Sequence, residues 1–169
     1  MSSRLVRTGG QKLPGLEDSM EEKKKSMTKD EMIMELMELL KANGRPKQAA
    51  DVFESSAYVD MLESKLDQMT NELVQMRKEL QEMKEQQASK SLKETLSEMV
   101  DRAQARCQQM KEKLFEVKEE MHNKAAEIVK AVKQKGKDAL NRVSEFFGVK
   151  KKLESIRENV REGIVETDQ

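Results

Sequence analysis

The sequence is poor in residues that build compact globular cores and in residues that break helices. Aromatic side chains make up 3% of its 169 residues, with one tyrosine and no tryptophan. Aromatic side chains bury the most surface per residue, so a compact core of ordinary composition is not expected. Two prolines, seven glycines and 38% charged residues favour long helices instead. The composition therefore predicts an all-α, elongated fold.

Other absences exclude several classes of protein. A single cysteine, Cys107, excludes a disulfide within the chain. No apolar run approaches the roughly 18–20 residues of a membrane-spanning helix. Arg4 and Arg7 are not followed by the apolar segment of a secretory signal. We therefore expect a cytoplasmic protein.

Residues that carry catalysis or bind metals do not cluster in the sequence. His122 is the only histidine, and it lies 15 residues from Cys107, which is about 22 Å along a straight helix. A metal site needs several such ligands, and no glycine-rich phosphate-binding loop is present. We expect no catalytic residues, no metal ligands and no cofactor, and hence no enzyme.

The strongest pattern is a heptad repeat between Tyr58 and Glu85. Apolar residues alternate at spacings of three and four, as in the seam of a coiled coil. The eight seam residues are Val59, Leu62, Leu66, Met69, Leu73, Met76, Leu80 and Met83. Their period of 3.5 residues, against 3.6 for a straight α-helix, predicts a left-handed supercoil with a partner helix.

Two partners for this seam are compatible with the sequence. In a parallel dimer, Glu72 faces Arg77 of the second copy and Glu79 faces Lys84, and both pairs are attractive. These charges favour a parallel dimer. The alternative is a hairpin within one chain, in which residues 57–87 fold back on residues 91–121.

A second long helix follows the heptad segment. Apolar residues from Leu92 to Val132 cover 40 residues in 11 steps, or 3.64 residues per step. This period is that of an ordinary amphipathic helix, so we expect a nearly straight helix that lies on a partner.

Local signals for helix starts and ends divide the chain. Thr28 and Glu31 have the spacing of a capping box, and Ser91 and Glu94 repeat it. Asn43-Gly44 ends the first helix and Pro46 starts the next. The predicted segments are a disordered tail (1–26), a two-helix cap (28–54), the heptad helix (57–87), a long amphipathic helix with a basic end (91–147) and a last helix (149–165).

Several junctions are less sharply marked. Ser55-Ser56 predicts a break before the heptad helix. Residues 86–90 fit a hinge, a hairpin turn or a continuous helix. We expect the long helix to continue through Gly136 and to end at Gly148. Because a helix start follows Met27, translation from Met1 or from Met27 both fit, and we expect residues 1–26 to be dispensable for folding.

One stretch carries a marked excess of positive charge. Residues 130–153 contain eight basic residues against Asp138 and Glu145. The eight are Lys130, Lys133, Lys135, Lys137, Arg142, Lys150, Lys151 and Lys152. The simplest interpretation is a solvated helix face. The alternatives are contact with nucleic-acid phosphates and an interfacial helix whose Phe146 and Phe147 enter an anionic membrane surface.

Four short stretches carry a resemblance to known proteins: Thr28-Lys29-Asp30-Glu31, Leu39-Leu40-Lys41-Ala42-Asn43-Gly44, Tyr58-Val59-Asp60 before Leu62-Glu63, and Val143-Ser144-Glu145-Phe146-Phe147-Gly148 ahead of Lys150-Lys151-Lys152-Leu153. Over roughly residues 27–165 the chain resembles a family of uncharacterised coiled-coil proteins of gut Firmicutes, often found near mobile genetic elements. The resemblance implies a bacterial cytoplasmic setting and brings no known activity.

The function predicted from the sequence is a non-catalytic coiled-coil scaffold or protein-interaction protein. The alternative is binding of a nucleic-acid backbone or an anionic membrane surface through the basic helix 130–153.

Overall fold

The computed structural model describes residues 25–83 and 89–168, with side chains as far as Glu162. Four helices account for most of these residues: α1 (Glu31–Ala42), α2 (Pro46–Glu82), α3 (Lys90–Lys135) and α4 (Lys150–Asp168). No strand occurs among them, so the all-α prediction is confirmed. Of the predicted tail, all but Lys25 and Ser26 lies outside the described residues.

Helix α1 is capped differently from the prediction. Its N-cap is Asp30, whose carboxylate accepts hydrogen bonds from the backbone N–H groups of Met32 and Ile33. Thr28 lies instead in a 3-10 turn (Met27–Lys29), and its hydroxyl donates to Asp60 of α2. The predicted Thr28 capping box is therefore wrong, because each carboxylate offers a charged acceptor that binds these donors more strongly than a hydroxyl.

The turn between α1 and α2 confirms the predicted boundary. Helix α1 ends at Ala42, and Gly44 takes a positive φ of 74° that closes the turn. The N–H of Arg45 donates to the carbonyl of Leu40 at 2.8 Å, which satisfies one of the last carbonyls of α1. Pro46 is the first residue of α2, where its missing N–H costs nothing.

The predicted break at Ser55-Ser56 does not occur. Helix α2 runs without interruption from Pro46 to Glu82, so the second helix of the predicted cap and the heptad helix are one element. Both serines are buried, and the Ser56 hydroxyl donates to the carbonyl of Val52 at 2.9 Å. Because the Ser56 hydroxyl is hydrogen-bonded within the helix, it does not cap a new helix start.

Helix α3 begins and ends at residues other than those predicted. Ser89, rather than Ser91, caps it by accepting from the N–H of Leu92 at 3.1 Å. At the other end Gly136 stops the helix, with φ 96° and ψ −180°, a conformation that essentially only glycine adopts. Of the predicted hinge at residues 86–90, only Ser89 and Lys90 are described, and α2 and α3 are separate helices on either side.

The apolar pattern continues beyond Gly136 because the chain folds back on α3. A 3-10 turn (Lys137–Arg142), an α-helical turn (Val143–Phe146) and a second 3-10 turn (Phe147–Val149) form this connection. Leu140, Val143, Phe146 and Val149 are buried in it. Gly148 lies in the last turn and not at the end of the long helix, and α4 begins at Lys150.

Ion pairs define the direction of α2 relative to α3. Lys118 of α3 pairs with Glu63 of α2, with Nζ 2.9 Å from Oε2. Further along α2, Arg77 contacts Asp101, which lies earlier in α3. The two helices are therefore antiparallel.

Further ion pairs place the other two helices. Lys152 of α4 contacts Glu120 of α3, and Glu162 contacts Arg106, so α4 also runs antiparallel to α3. Helix α1 runs parallel to α3, because Glu35 pairs with Lys133 while Asp30, at the start of α1, lies next to the earlier residue His122.

The molecule consequently has two parts. In the body, α1, α4 and the connection after α3 cover the α2–α3 pair, and a continuous apolar core runs through them. The α2–α3 pair extends from the body as an arm, which we define as residues 74–82 and 90–102, and Val100 joins the arm to the core. Helix α3 has 46 residues and is about 70 Å long, so the predicted elongated shape is confirmed.

Candidate interaction surfaces

The heptad seam has a buried part and a partly exposed part. Its first five residues are at most 7% exposed: Val59, Leu62, Leu66, Met69 and Leu73. They belong to the core formed with α3 of the same chain. A parallel dimer through this part of the seam would require α3 to separate from α2.

The last three seam residues lie at or beyond the arm and are less well covered. Met76 is 36% exposed, and Leu80 and Met83 are half-buried. Val74, 54% exposed, and Leu92, 49% exposed, add apolar surface to the arm. The heptad pattern did not indicate Val74 or Leu92, because neither occupies a seam position.

Arg77, one of the residues that favoured the parallel dimer, is already engaged within the chain. It contacts Asp101 and donates to the Gln104 side chain, with Nη2 2.6 Å from Oε1. Pairing with Glu72 of a second copy would have to replace these contacts. Lys84, the other predicted cation, lies outside the described residues.

The predicted basic helix is not a single helix, and four of its cations have partners. Residues 130–153 are divided among the end of α3, which stops before Gly136, the connection, and the start of α4 at Lys150. The engaged pairs are Lys133 with Glu35, Arg142 with Glu145, Lys152 with Glu120, and Lys150 with the Phe147 ring at 4.7 Å. The hydrogen bond from Arg142 lowers the pKa of the Glu145 carboxyl.

The interfacial-helix alternative does not fit the structure. Phe146 is fully buried in the core, and Phe147 is half-buried with its ring edge-on to Phe146 at 5.5 Å between centroids. An interfacial helix needs its apolar side chains free to enter the headgroup region, and the core holds these two.

The fold instead brings two distant turns together. The guanidinium of Arg45, in the α1–α2 turn, donates to the Asn141 side chain, with Nη2 2.8 Å from Oδ1. We call residues 41–47 and 133–142 the basic end. Lys41, Arg45 and Lys47 thereby join Lys133, Lys135, Lys137 and Arg142, with Lys130 one turn away.

The remaining predicted anion-binding residues lie elsewhere. Lys150, Lys151 and Lys152 start α4, and Lys152 is held at Glu120, 15 residues before the end of α3. That separation is about 22 Å along the helix. Because all eight cations are close in the chain, their positions in the sequence do not predict this division.

A groove of about 620 Å³ lies between α2 and α4. Leu62, Leu153 and Val160 line its floor, and charged residues of both signs line its rims. Tyr58 borders the groove, and its buried hydroxyl has no hydrogen-bond partner among the described residues. Burial raises the pKa of Tyr58, and the nearby positive charge of Arg157 opposes this shift.

Cys107 and His122 serve separate structural roles. Cys107 is 2% exposed in the core, and burial raises the pKa of its thiol. His122 Nδ1 lies 2.8 Å from Oδ2 of Asp30, the carboxylate that caps α1. Within the described ranges, no three His, Cys, Asp or Glu side chains group as a metal site would require.

No helix in the described part of the chain has the length and apolar character needed to span a membrane. The model of a family of unknown function matches residues 29–169. No curated protein and no solved structure matches the chain.

Proposed function

The chain belongs to the DUF6674 family, a family of unknown function, and we propose that it is a non-catalytic scaffold that binds a helical partner through its arm. The partner is a second copy of this chain or another protein that presents an apolar helix face. The observation that carries the proposal is the partial exposure of the seam within the arm.

The exposure of the arm contrasts with the burial of the same repeat in the body. Leu73 is 1% exposed, whereas Met76, three residues later, is 36% exposed. Two helices alone cover only part of an apolar stripe, and a third or fourth helix buries the remainder. The seam positions Met76 and Leu80 of the arm are therefore left partly open to a further helix.

The absence of catalysis is part of the proposal. The thiol of Cys107 lies in the core with a raised pKa, which disfavours the reactive thiolate. His122 contacts Asp30, the residue that caps α1, so its position is explained by a contact that holds α1 on α3. The burial of Cys107 and the contact of His122 with Asp30 support a structural role for these two residues.

Cysteine crosslinking distinguishes the modes of self-association. In a Cys107→Ala background, Met76→Cys places a thiol on the exposed part of the seam, whereas Leu73→Cys places one in the buried part. If copies associate through their arms, Met76→Cys forms disulfide dimers under mild oxidation and Leu73→Cys does not. If the predicted parallel dimer forms through the whole seam, Leu73→Cys forms them too.

Ser64→Cys, exposed on the body part of α2, is the matched control for random collision. Sedimentation of the full chain at micromolar concentration accompanies the crosslinking. A monomer that gives no more dimer at Met76→Cys than at Ser64→Cys excludes self-association through the exposed seam of the arm. A Met76→Glu variant then tests a different helical partner, since it should abolish capture of that partner without loss of helicity.

We also propose a bacterial cytoplasmic setting, close to that of the gut Firmicutes proteins that the sequence resembles. The support is the resemblance over roughly residues 27–165, including the association with mobile genetic elements. Fractionation of the native host tests the compartment, and recovery with the membranes or the medium would contradict it.

A further inference from the structure

The basic end concentrates positive charge on one end of a chain that is neutral overall. Its two turns carry seven cations against one acid, Asp138. The cations are Lys41, Arg45, Lys47, Lys133, Lys135, Lys137 and Arg142. The arm, at the opposite end of the α2–α3 pair, carries five cations and five acids. Because like charges repel, such a cluster lowers the stability of the folded chain.

Compensation of helix dipoles explains only some of these cations. Lys41, Lys133 and Lys135 lie in the last turns of α1 and α3, where a positive charge is favourable. Lys47 lies in the first turn of α2, where a positive charge is unfavourable. Lys137 similarly opens the 3-10 turn after α3. These two lysines are not placed there to stabilise a helix.

Most of these cations also lack a partner among the residues that the structure describes. Within the described part of the chain, Lys41, Lys47, Lys135 and Lys137 are exposed and none is within ion-pair distance of a carboxylate. Lys130, one turn before Lys133, is likewise exposed and unpaired among those residues. Their ammonium groups are available for an external anion.

We infer that the basic end binds the phosphate backbone of nucleic acid, without reading the bases. Two turns from distant parts of the chain, joined by the Arg45–Asn141 hydrogen bond, bring together several exposed ammonium groups that have no carboxylate partner among the described residues. Such a surface matches the regularly spaced charges of a nucleic-acid backbone. This binding goes beyond the scaffold function and uses the end of the molecule opposite the arm.

The apolar residues favour nucleic acid over a lipid bilayer. The exposed large hydrophobic side chains among the described residues are Met34, Phe53, Met61, Val74, Met76 and Leu92. None belongs to the basic end. Binding to a bilayer interface gains much of its strength from inserted apolar side chains, whereas phosphate contacts need only positive charge.

Fluorescence anisotropy with a labelled duplex of about 20 base pairs, at about 50 and 200 mM salt, tests the inference. The full chain should bind, with an affinity that falls steeply with salt and does not depend on base sequence. The variant Lys47→Gln/Lys135→Gln/Lys137→Gln should bind at least tenfold more weakly at low salt, with a salt slope smaller by up to about three.

A second triple variant, Lys78→Gln/Lys90→Gln/Lys113→Gln, removes the same charge from exposed positions outside the basic end and should bind as the parent does. Circular dichroism verifies that both variants fold. Absence of binding at low salt overturns the inference, as does equal weakening by the two triple variants. Binding to vesicles that contain phosphatidylserine, without binding to the duplex, overturns it in favour of a membrane surface.

Discussion

Lys118 and Glu63 form an ion pair inside the body, with Lys118 Nζ 2.9 Å from Glu63 Oε2 and 3.2 Å from Oε1. Lys118 is only 6% exposed, although it belongs to a residue type that is almost never buried without a partner. The pair joins residues 55 positions apart and fixes the register of α2 against α3.

We expect Glu63→Ala to lower the free energy of unfolding by about 2 kcal/mol, because it removes a carboxylate that contacts a buried ammonium. The double variant Glu63→Leu/Lys118→Met should recover most of this loss, since apolar side chains of similar volume replace a buried pair well. Urea unfolding followed by circular dichroism measures both. Asp67→Ala removes the partner of the more exposed Lys111 and should cost less than about 1 kcal/mol. Equal losses at both sites would contradict this account.

Asp60 anchors the first described turn. Its carboxylate accepts from the Ser26 hydroxyl at 2.6 Å and from the Met27 N–H at 2.7 Å. We expect Asp60→Ala to lower the free energy of unfolding by about 1–3 kcal/mol, because charged acceptors form the stronger hydrogen bonds. Hydrogen exchange at the Met27 amide should rise with it, and Asp51→Ala, at an exposed position of the same helix, should change neither. Ser26 should therefore be retained when testing whether the preceding residues are dispensable.

Gly136 and Gly148 should respond in opposite ways to alanine. Neither has any atom within 4 Å of the Cβ that alanine would add, so steric contact does not separate them. Gly136 has φ 96° and ψ −180°, so Gly136→Ala should destabilise by about 1–3 kcal/mol. Gly148 has no positive φ, so Gly148→Ala should be neutral or stabilise by up to about 1 kcal/mol. Thermal midpoints that fall equally in both variants would exclude backbone conformation as the cause.

Tyr58 provides an optical test of the groove, since it is the only tyrosine and no tryptophan is present. Phenolate absorbance at 295 nm should appear at higher pH in the folded chain than in urea, because burial raises the pKa of Tyr58. The neutral phenol is favoured in the folded state. The contribution of the neutral Tyr58 phenol to the free energy of unfolding is therefore fully present below the unfolded pKa, near 10. It is lost as pH rises through the pKa of the folded state.

The Tyr58 hydroxyl, which has no hydrogen-bond partner among the described residues, leads to a further prediction. Tyr58→Phe should leave stability unchanged or raise it by up to about 1 kcal/mol, since it removes a buried polar atom without a described partner. Ser56→Ala is the control, because the Ser56 hydroxyl is bonded to Val52. A clear loss of stability in Tyr58→Phe would show that the hydroxyl has a partner in solution.

The sequence by itself determined the features that depend on neighbouring residues. Gly44 and Pro46 define the α1–α2 turn because each has a backbone preference that acts locally. The heptad spacing identified the face of α2 that is buried from Val59 to Leu73, because apolar periodicity depends only on helix geometry. Low aromatic content and high charge were sufficient for the all-α class.

Only the tertiary structure decided what those faces meet. A heptad pattern is the same whether its partner is a second copy or α3, so it does not identify α3 as the helix that covers it. Ser55 and Ser56 fit a helix start locally, but burial between helices keeps α2 continuous. Arg45 and Asn141 meet although 96 residues separate them, and this contact creates the basic end. Such pairings depend on how whole helices pack, which no local pattern of residue types encodes.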